Sequence, residues 1–302
     1  MTLPLVTIMI PTYNQEEYIS EAVQSALKQD YKNLEIIVAD DCSDDNTEAI
    51  VKKFDNDPRL RYVRNPVNLG RVGNYHNCVH ELAQGEWVIN LDGDDFFTSS
   101  SFVSDAVNSI LQLDDHEIVA YCFHQPIDII RRLFPIKQIS ENSFLCEGKD
   151  YFLHYYRHGG FGHHSILWRK DIGLKIGMYL IPWQACDFHA IIRIFLNGKI
   201  ILDDRQIAHW RVHGQNTTIL QVEDKQRQAQ LTFDAIEAYA KDFFSDAKLK
   251  KWREGMNKAA YTDYISSHVF YLRNFKSLKL LLLNPYFKKW YFRSWFKLIF
   301  NR

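Results

Sequence analysis

The 302-residue chain has little cysteine, no long uncharged hydrophobic run and no large excess of charge of either sign. Its five cysteines are scattered and form no C-x-x-C pair, which argues against a disulfide framework or a thiolate metal site and is typical of a reducing cytoplasm. No apolar stretch reaches the roughly 20 residues that a membrane span requires. The net charge of −1 gives no case for nucleic-acid binding.

Other common signals are also missing. The N-terminus has no basic segment before its first apolar run, so we expect no signal peptide. No G-x-G-x-x-G follows that run, which disfavours a dinucleotide-dependent oxidoreductase. A nucleotidyltransferase is an alternative, but it would need a basic phosphate loop, and residues 11–15 contain neither Lys nor Arg.

The most informative segment is the hexapeptide 90–95, Asn-Leu-Asp-Gly-Asp-Asp, which follows the apolar run 87–89. Three carboxylates at the end of a buried strand repel one another and resist desolvation. A divalent cation with oxygen ligands offsets that charge, often together with a phosphate group of the substrate. Asp92, Asp94 and Asp95 therefore predict an enzyme that acts on a phosphorylated, nucleotide-linked molecule.

Strand and helix patterns alternate in the first half of the chain, which predicts an α/β fold with a mostly parallel sheet flanked by helices. The predicted strands are 5–10, 34–38, 60–63, 86–91 and 118–123, with helices between them that include 73–83 and 99–113. The carboxyl ends of parallel strands share one edge, where ligands bind. Polar clusters at 11–14, 40–41 and 92–95 follow three of these strands, so we expect them to lie together.

The pattern weakens later in the chain. Residues 125–144 favour short strands or a flexible excursion. We expect helices at 151–157 and 187–196, strands at 165–168, 199–202 and 207–212, and a wholly helical region from 221 onward.

Four segments resemble the inverting family-2 glycosyltransferases: 6–14, 35–45, 68–70 and 85–95. The resemblance covers about residues 4–218 and is strongest to about 123. It implies a GT-A type, Rossmann-like domain at 1–218, with a nucleotide-binding half at 1–123 and an acceptor-binding half at 124–218, followed by a helical region at 219–302. It also implies that a sugar is transferred from a nucleotide diphosphate donor with inversion at the anomeric carbon.

The same resemblance implies a metal site for Mn²⁺ or Mg²⁺. Asp92 and Asp94 would form the family's D-x-D motif, in which Asp94 holds the metal with Asp95 as a neighbouring candidate. Asp92 would lie near the ribose or a metal-bound water, and Gly93 would let the backbone approach the ligand. The segment 211–218 is similar to the family's late Arg-x-His-x-x-Asn-x-Ser segment, which makes His213 a candidate third ligand.

For the donor nucleotide, the resemblance implies that Asp40 accepts a hydrogen bond from the base ring, with Asp41 as its neighbour. This favours uridine over thymidine. Further candidate donor contacts are the strand-end residues Pro11, Thr12, Tyr13 and Asn14, together with Arg71 and Arg211, whose guanidinium groups suit a phosphate or a base face.

For the acceptor side, an inverting transfer needs a base that takes the proton of the attacking hydroxyl. The family usually carries Glu-Asp at this position, and here Cys186 precedes Asp187, which is the candidate base; a helix N-cap is the alternative. Trp183 is a candidate acceptor platform or a core residue. His163 is assigned to an acceptor-side loop and not to a metal site, because adjacent histidines in a strand point to opposite faces.

The last segment, 284–300, has aromatic residues on one side of a predicted helix and basic residues on the other. That pattern favours binding to an anionic membrane surface; packing on the protein's own core or on a second subunit of a homo-oligomer is the alternative. We expect a peripheral protein on the cytoplasmic face of the plasma membrane that extends lipid-linked glycans for bacterial surface polysaccharide. A non-catalytic membrane-associated scaffold remains a competing hypothesis.

Overall fold

The computed structural model describes residues 2–159, 161–181, 186–213 and 225–272, and in the last range it describes side chains from 227 to 260. Three sequence predictions fall outside the described residues: the acceptor platform Trp183, the end of the late segment from 214 onward, and the amphipathic tail at 284–300.

The strands of the described residues form two sheets, one of nine strands and one of two. The strands in chain order are β1 Val6–Thr12, β2 Leu34–Asp40, β3 Leu60–Arg64, β4 Trp87–Asn90, β5 Phe96–Phe97, β6 Ile118–Cys122, β7 Lys137–Gln138, β8 Ser143–Glu147, β9 Ile166–Arg169, β10 Lys199–Asp203 and β11 Ala208–His209. Nine of them form the order β3-β2-β1-β4-β9-β6-β10-β8-β7, and β5 pairs with β11 separately.

The main sheet is mostly parallel, as the sequence predicts. β1 pairs in parallel with both β2 and β4, β2 with β3, and β6 with β10. β9 is inserted antiparallel between β4 and β6, and β8 pairs antiparallel with β10. The register of β1 against β2 places Thr12 opposite Asp40, so both strands end at the same level.

Helices cover both faces of this sheet. They are α1 Ile19–Leu27, α2 Thr47–Val51, α3 Gly70–Asn77, α4 Phe102–Leu113, α5 Ile127–Ile130, α6 Gly148–His158, α7 Lys170–Lys175, α8 Cys186–Phe195, α9 Lys225–Ala240 and α10 Asp246–Leu272. A π-helical turn, Cys78–Leu82, extends α3.

Each face of the sheet has its own hydrophobic core. Along β1, Ile8 and Ile10 belong to one core and Met9 belongs to the other, and all three are fully buried. Neighbouring side chains of a strand point to opposite faces, so a strand covered on both sides needs apolar residues at every position. This explains why β1 and β2 are mostly apolar in the sequence.

Several predicted elements change at their ends. β1 continues through Pro11, which is tolerated because β4 ends opposite Met9 and leaves this part of β1 with one neighbouring strand. The helix predicted at 73–83 begins at Gly70 and ends as the π-helical turn. The strand predicted at 207–212 is limited to β11, because its pairing with the two-residue β5 ends there.

The weakly patterned segment 125–144 forms the short helix α5 and the edge strands β7 and β8, and α7 is a helix that the sequence reasoning did not predict.

The two C-terminal helices pack on the preceding domain. α9 contacts α8, and α10 contacts α6. The ring of Trp252 stacks on Phe152 with centroids 4.8 Å apart. Across the described residues, no helix is both long and apolar enough to cross a bilayer. The domain boundary at 218 stays a prediction.

Candidate active site

The three polar clusters predicted from the sequence meet at one edge of the sheet, where β1, β2 and β4 end. The backbone N–H of Asp41 donates to the carbonyl of Thr12 at 2.9 Å, and that of Gly93 donates to the carbonyl of Pro11 at 3.3 Å. The prediction that parallel strands bring these clusters together is therefore confirmed.

The acidic segment after β4 forms a tight turn, closed by a hydrogen bond from the N–H of Asp95 to the carbonyl of Asp92 at 2.9 Å. Gly93 lies in this turn against the β1 loop. A Cβ atom at Gly93 would stand 2.0 Å from Oε1 of Gln15 and 2.7 Å from Oγ1 of Thr12. Any side chain here would displace the Gln15 side chain and press against Thr12, so the packing favours glycine independently of any ligand.

Carboxylate oxygens of Asp92, Asp94 and Asp95 all lie within 4.8 Å of one another. Nε2 of His213 lies 2.9 Å from Oδ2 of Asp94, and the ring of Tyr18 stacks on His213 at 4.8 Å. The pairing of β5 with β11 brings the His213 segment to this turn.

Asp95 is almost completely buried. Burial and the charge of Asp92 raise its pKa to about 7, although the backbone N–H of Arg211 donates to it at 2.8 Å. Burial is the larger cause and the charge of Asp92 the smaller, and a nearby cation would favour the ionised form against both. Carboxylate oxygens with an imidazole nitrogen are ligands that suit a divalent ion such as Mn²⁺, so the residues present fit the predicted metal.

Asp92 has a different environment from Asp94. Its Oδ1 accepts hydrogen bonds from the hydroxyl of Tyr75 at 2.6 Å and from Nδ2 of Asn90 at 3.0 Å, and its Oδ2 lies 2.9 Å from Nε2 of His163. Burial raises the pKa of Asp92, but the charge of His163 and these hydrogen bonds lower it more, so the net direction is downward. Asp92 is therefore an ionised carboxylate that is stabilised by hydrogen bonds from protein side chains.

Asp187 lies in the first turn of α8, as its second residue. Its Oδ2 lies 3.1 Å from Nδ1 of His163, so His163 connects Asp187 to Asp92. Burial raises the pKa of Asp187, and the hydrogen bond and charge of His163 outweigh it, with a net lowering. Burial lowers the pKa of His163, but its two carboxylate neighbours raise it well above its usual range.

The expectation that the paired histidines point to opposite faces is wrong. Residues His163–Ser165 form a 3-10 turn and not a strand. His164 places Nδ1 3.6 Å from Oδ2 of Asp95, while His163 faces Asp92, so both rings face the acidic turn. A helical turn rotates successive side chains by less than the 180° of a strand, which allows both to reach one site.

Asp40 and Asp41, the two candidate contacts to the nucleotide base, are both buried. Asp40 is 0% exposed and accepts hydrogen bonds from the N–H of Ser43 at 2.9 Å and its hydroxyl at 2.5 Å, and from Tyr62 and Arg64. Recognition of the base by Asp40 stays a prediction, and it would require a nucleotide to replace one of these partners.

Asp41 supports a loop. Its Oδ1 accepts from Nδ2 of Asn65 at 2.9 Å and from the N–H of Leu69 at 2.8 Å. In the β1 loop, Tyr13 is 48% exposed and available to a ligand, and the N–H of Asn14 donates to the hydroxyl of Ser43.

The two arginines assigned to the donor differ in exposure: Arg71 is exposed and Arg211 is partly buried. Desolvation lowers the pKa of Arg71, but Tyr75 and the charges near it, including Asp187 and Asp92, produce a net rise. The Arg71 guanidinium lies 5.9 Å from the centroid of the Tyr75 ring. The guanidinium of Arg211 lies between the rings of Tyr18 and Phe96 and donates to the Asp94 carbonyl at 2.9 Å and to Glu21. Its phosphate role stays a prediction.

Sequence reasoning missed Tyr75 and the supporting asparagines. Asn65, Asn74 and Asn77 form a buried chain of amide hydrogen bonds that holds the Asp41 loop. Nothing in their spacing distinguishes them from ordinary helix and loop residues before the contacts are known.

A mostly parallel sheet flanked by helices, with an acidic turn where its parallel strands end, is the architecture of the GT-A type glycosyltransferases. Residues 7–173, more than half of the chain, match the family model described as Glycosyl transferase family 2, and the chain belongs to that family.

Relatives and a solved structure agree with this assignment. An uncharacterized glycosyltransferase of Rickettsia prowazekii is 29% identical over 217 residues, which are 71% of this chain and 66% of that protein. The Escherichia coli UDP-Glc:alpha-D-GlcNAc-diphosphoundecaprenol beta-1,3-glucosyltransferase WfaP is 39% identical over 98 residues, 32% of this chain and 38% of that protein. The chain thus spans less than two thirds of the length of both relatives.

The mannosyltransferase PcManGT from Pyrobaculum calidifontis, solved in complex with GDP-Man and Mn²⁺, matches with a TM-score of 0.62 at 17% identity. The match covers 98% of this chain and 84% of that chain. At this identity the likeness concerns the fold.

Proposed function

We propose that this protein is a metal-dependent inverting glycosyltransferase. It moves a sugar from a nucleotide diphosphate donor, with a UDP-sugar favoured, to a hydroxyl of a lipid-linked glycan in bacterial surface polysaccharide synthesis. The observation that carries the proposal is the acidic turn after β4, with His213 on one side and the Asp187 carboxylate joined through His163 on the other.

Asp94, Asp95 and His213 are the residues that would hold the cation. When bound, Mn²⁺ or Mg²⁺ supplies positive charge that offsets the charge developing on the departing diphosphate. The residues themselves set the position of that charge: Asp94 and His213 lie 2.9 Å apart, and the backbone N–H of Arg211 fixes the Asp95 carboxylate.

Asp187 is proposed as the base. Its lowered pKa keeps it ionised at neutral pH, which a proton acceptor requires. In a single displacement, the acceptor hydroxyl gives its proton to the Asp187 carboxylate while its oxygen forms the new bond to the anomeric carbon. The bond from that carbon to the donor phosphate oxygen breaks, and its electron pair leaves with the nucleoside diphosphate.

Donor, acceptor and location follow from the relatives by analogy. WfaP is named for UDP-Glc as donor and for a diphosphoundecaprenol-linked acceptor, which supports a uridine nucleotide and a lipid-linked glycan here. We propose residues 1–218 as the transferase domain and 219–302 as a helical region whose tail, 284–300, binds the cytoplasmic membrane surface.

The test is a thermal-shift titration with UDP, GDP and dTDP, each with Mn²⁺ or with EDTA. We expect the largest rise in melting temperature with UDP and Mn²⁺, because a ligand that binds only the folded state stabilises it. Asp94→Asn is the matched variant, and we expect it to lose the part of the rise in melting temperature that depends on Mn²⁺. If none of the nucleotides shifts the wild type with Mn²⁺, the proposed function is wrong.

Turnover is then measured as release of nucleoside diphosphate from UDP-sugars, with the product anomer determined by NMR. Nucleotide binding without any turnover of sugars in the presence of membrane-derived acceptors would instead indicate a non-catalytic scaffold.

A further inference from the structure

His163 makes two contacts with carboxylates on opposite sides of its ring. Nε2 lies 2.9 Å from Oδ2 of Asp92, and Nδ1 lies 3.1 Å from Oδ2 of Asp187. The side chain is only 13% exposed. The two carboxylates come from distant elements, the turn after β4 and the start of α8, so His163 is the residue that joins them.

The hydrogen bonds from His163 to the two carboxylates fix the orientation of the imidazole ring. An ionised carboxylate only accepts, so each ring nitrogen must donate a proton for both bonds to form. A ring bonded at both ends cannot rotate without breaking one bond. The bond to Asp187 therefore takes one of its two oxygens and restricts the plane of the carboxylate, as the third member of a catalytic triad restricts its neighbour.

The anchor for this ring is itself rigid. Asp92 is held on its other oxygen by the hydroxyl of the buried Tyr75 and by Asn90. The Tyr75 ring also meets His163 edge-on at 6.1 Å. The turn that carries His163 is tightly packed, since a Cβ at Gly162 would stand 2.6 Å from the His164 ring.

We propose that His163 is a positioning residue that orients the base Asp187 and is itself anchored on Asp92. In this arrangement the first carboxylate of the D-x-D turn serves the base through His163, while Asp94, Asp95 and His213 serve the cation. The inference rests on the proposed function, because it takes Asp187 to be the base. It replaces the expectation that His163 contacts the acceptor directly.

The experiment compares His163→Ala, Asp187→Asn and the double variant, with His76→Ala as the matched control. His76 stacks on His80 and lies outside the site. For His163→Ala we expect kcat to fall by about 10- to 100-fold, the range found when an orienting partner is removed. The donor KM and the rise in melting temperature that UDP and Mn²⁺ produce should stay near the wild-type values, which a general loss of structure at the site would change.

The double variant tests whether His163 acts through Asp187. If it does, His163→Ala should cost little further activity once Asp187 is Asn, because coupled residues are not additive. A wild-type kcat in His163→Ala, or losses that multiply in the double variant, would overturn the inference. Normal turnover of Asp187→Asn would instead overturn the proposed base, which keeps the two failures distinct.

A second substitution covers the case in which His163→Ala does not fold. His163→Gln keeps an amide that can donate to one carboxylate but presents a carbonyl to the other. We expect a lowered kcat with an unchanged donor KM, and a wild-type kcat in this variant would contradict the inference.

Discussion

The two halves of the sheet contribute to the site in different ways. In the first half, from β1 to β5, the candidate side chains lie at the ends of parallel strands, since Asp40 is the last residue of β2 and Asp92 follows β4. In the second half, from β6 to β11, they lie on short turns and helix starts: His163 on a 3-10 turn, Asp187 in the first turn of α8, and His213 beyond the two-residue strand β11.

The two halves also contribute different side chains to the site. The first half supplies the acidic turn, and the second half supplies the imidazoles of His163, His164 and His213, which face it. The halves are joined where β9 pairs antiparallel with β4. The comparison teaches that the strand ends provide a fixed cluster of carboxylates, and that the later turns place a different imidazole against each of them.

The largest effect is expected for the first half. Asp94→Asn removes one charge from the acidic turn and one ligand from the predicted cation site, so we expect transfer to fall by about 1,000-fold, as for loss of a strong electrostatic contact in a transition state. Steady-state rates with varied Mn²⁺ measure this, and the melting temperature without ligand should change little. Activity that is independent of Mn²⁺ in the wild type would contradict the metal assignment.

The corresponding change in the second half is Asp187→Asn. We expect kcat to fall by about 100-fold or more, the usual contribution of a general base. The affinity for UDP with Mn²⁺ should be retained, because Asp187 is not among the proposed ligands. Isothermal titration of UDP checks the binding, and near-normal turnover would exclude Asp187 as the base.

His213→Ala tests whether the second half also holds the cation. Losing the imidazole beside Asp94 should weaken Mn²⁺ binding by at least about 10-fold, the loss found even for outer-shell partners of metals. The rate should recover at high Mn²⁺, unlike that of Asp187→Asn. His209→Ala, four residues earlier on β11, is a suitable control, and equal Mn²⁺ dependence in both variants would argue against His213 as a ligand.

Two tyrosine substitutions compare the role of Asp92 with that of Asp40. Tyr75→Phe removes a donor from Asp92, and Tyr62→Phe removes one from Asp40. Each should cost about 1.5–3 kcal/mol of unfolding free energy, the value of a hydrogen bond to a charged group. We expect Tyr75→Phe to lower kcat several-fold and Tyr62→Phe to act mainly on the donor KM; the same kinetic change in both would remove this distinction.

The smallest expected effect is on the pH dependence of stability. It concerns His158, which is buried at the end of α6 in the second half. Burial lowers its pKa to about 4 from an ordinary value of 6.5. The unfolded chain therefore binds more protons, so the stability contribution of the neutral ring is complete above pH 6.5 and is lost as pH falls toward 4. At pH 5, protonation of His158 should lower the free energy of unfolding by about 2 kcal/mol relative to pH 7.

Chemical denaturation at pH 7 and pH 5 measures this cost. His158→Leu, which cannot take up the proton, should lose less stability than the wild type over the same interval. An equal loss in both proteins would show that His158 does not contribute to the acid sensitivity.

The first half was predictable because its physics is local and periodic. Continuous apolar runs such as 6–10 and 34–38 identify buried strands, and parallel strands oblige Asp40 and Asp92 to share an edge. Those signals predicted the fold class and the grouping of the polar clusters, and the structure confirms both. The packing need for Gly93 was not visible, since it depends on Gln15 and Thr12 from another loop.

The second half was less predictable because its elements are short and its contacts are long-range. The 3-10 turn at 163–165 has no periodic signature, so the direction of His163 could not be derived from alternation. Tyr75 lies in an ordinary helix and gains its role only through Asp92. The resemblance to the family made Asp187 a candidate base, but its contact with His163 is visible only in the three-dimensional structure.

The two-residue ladder of β5 and β11 has a consequence for protein engineering. It joins the acidic turn to a segment more than a hundred residues later, with the Arg211 N–H on Asp95 at 2.8 Å. The family match ends at residue 173, ahead of both Asp187 and His213. A chimera spliced at that limit would keep the acidic turn but take Asp187 and His213 from the other parent. Grafts should therefore exchange the chain through at least residue 213, so that both sides of the site have one origin.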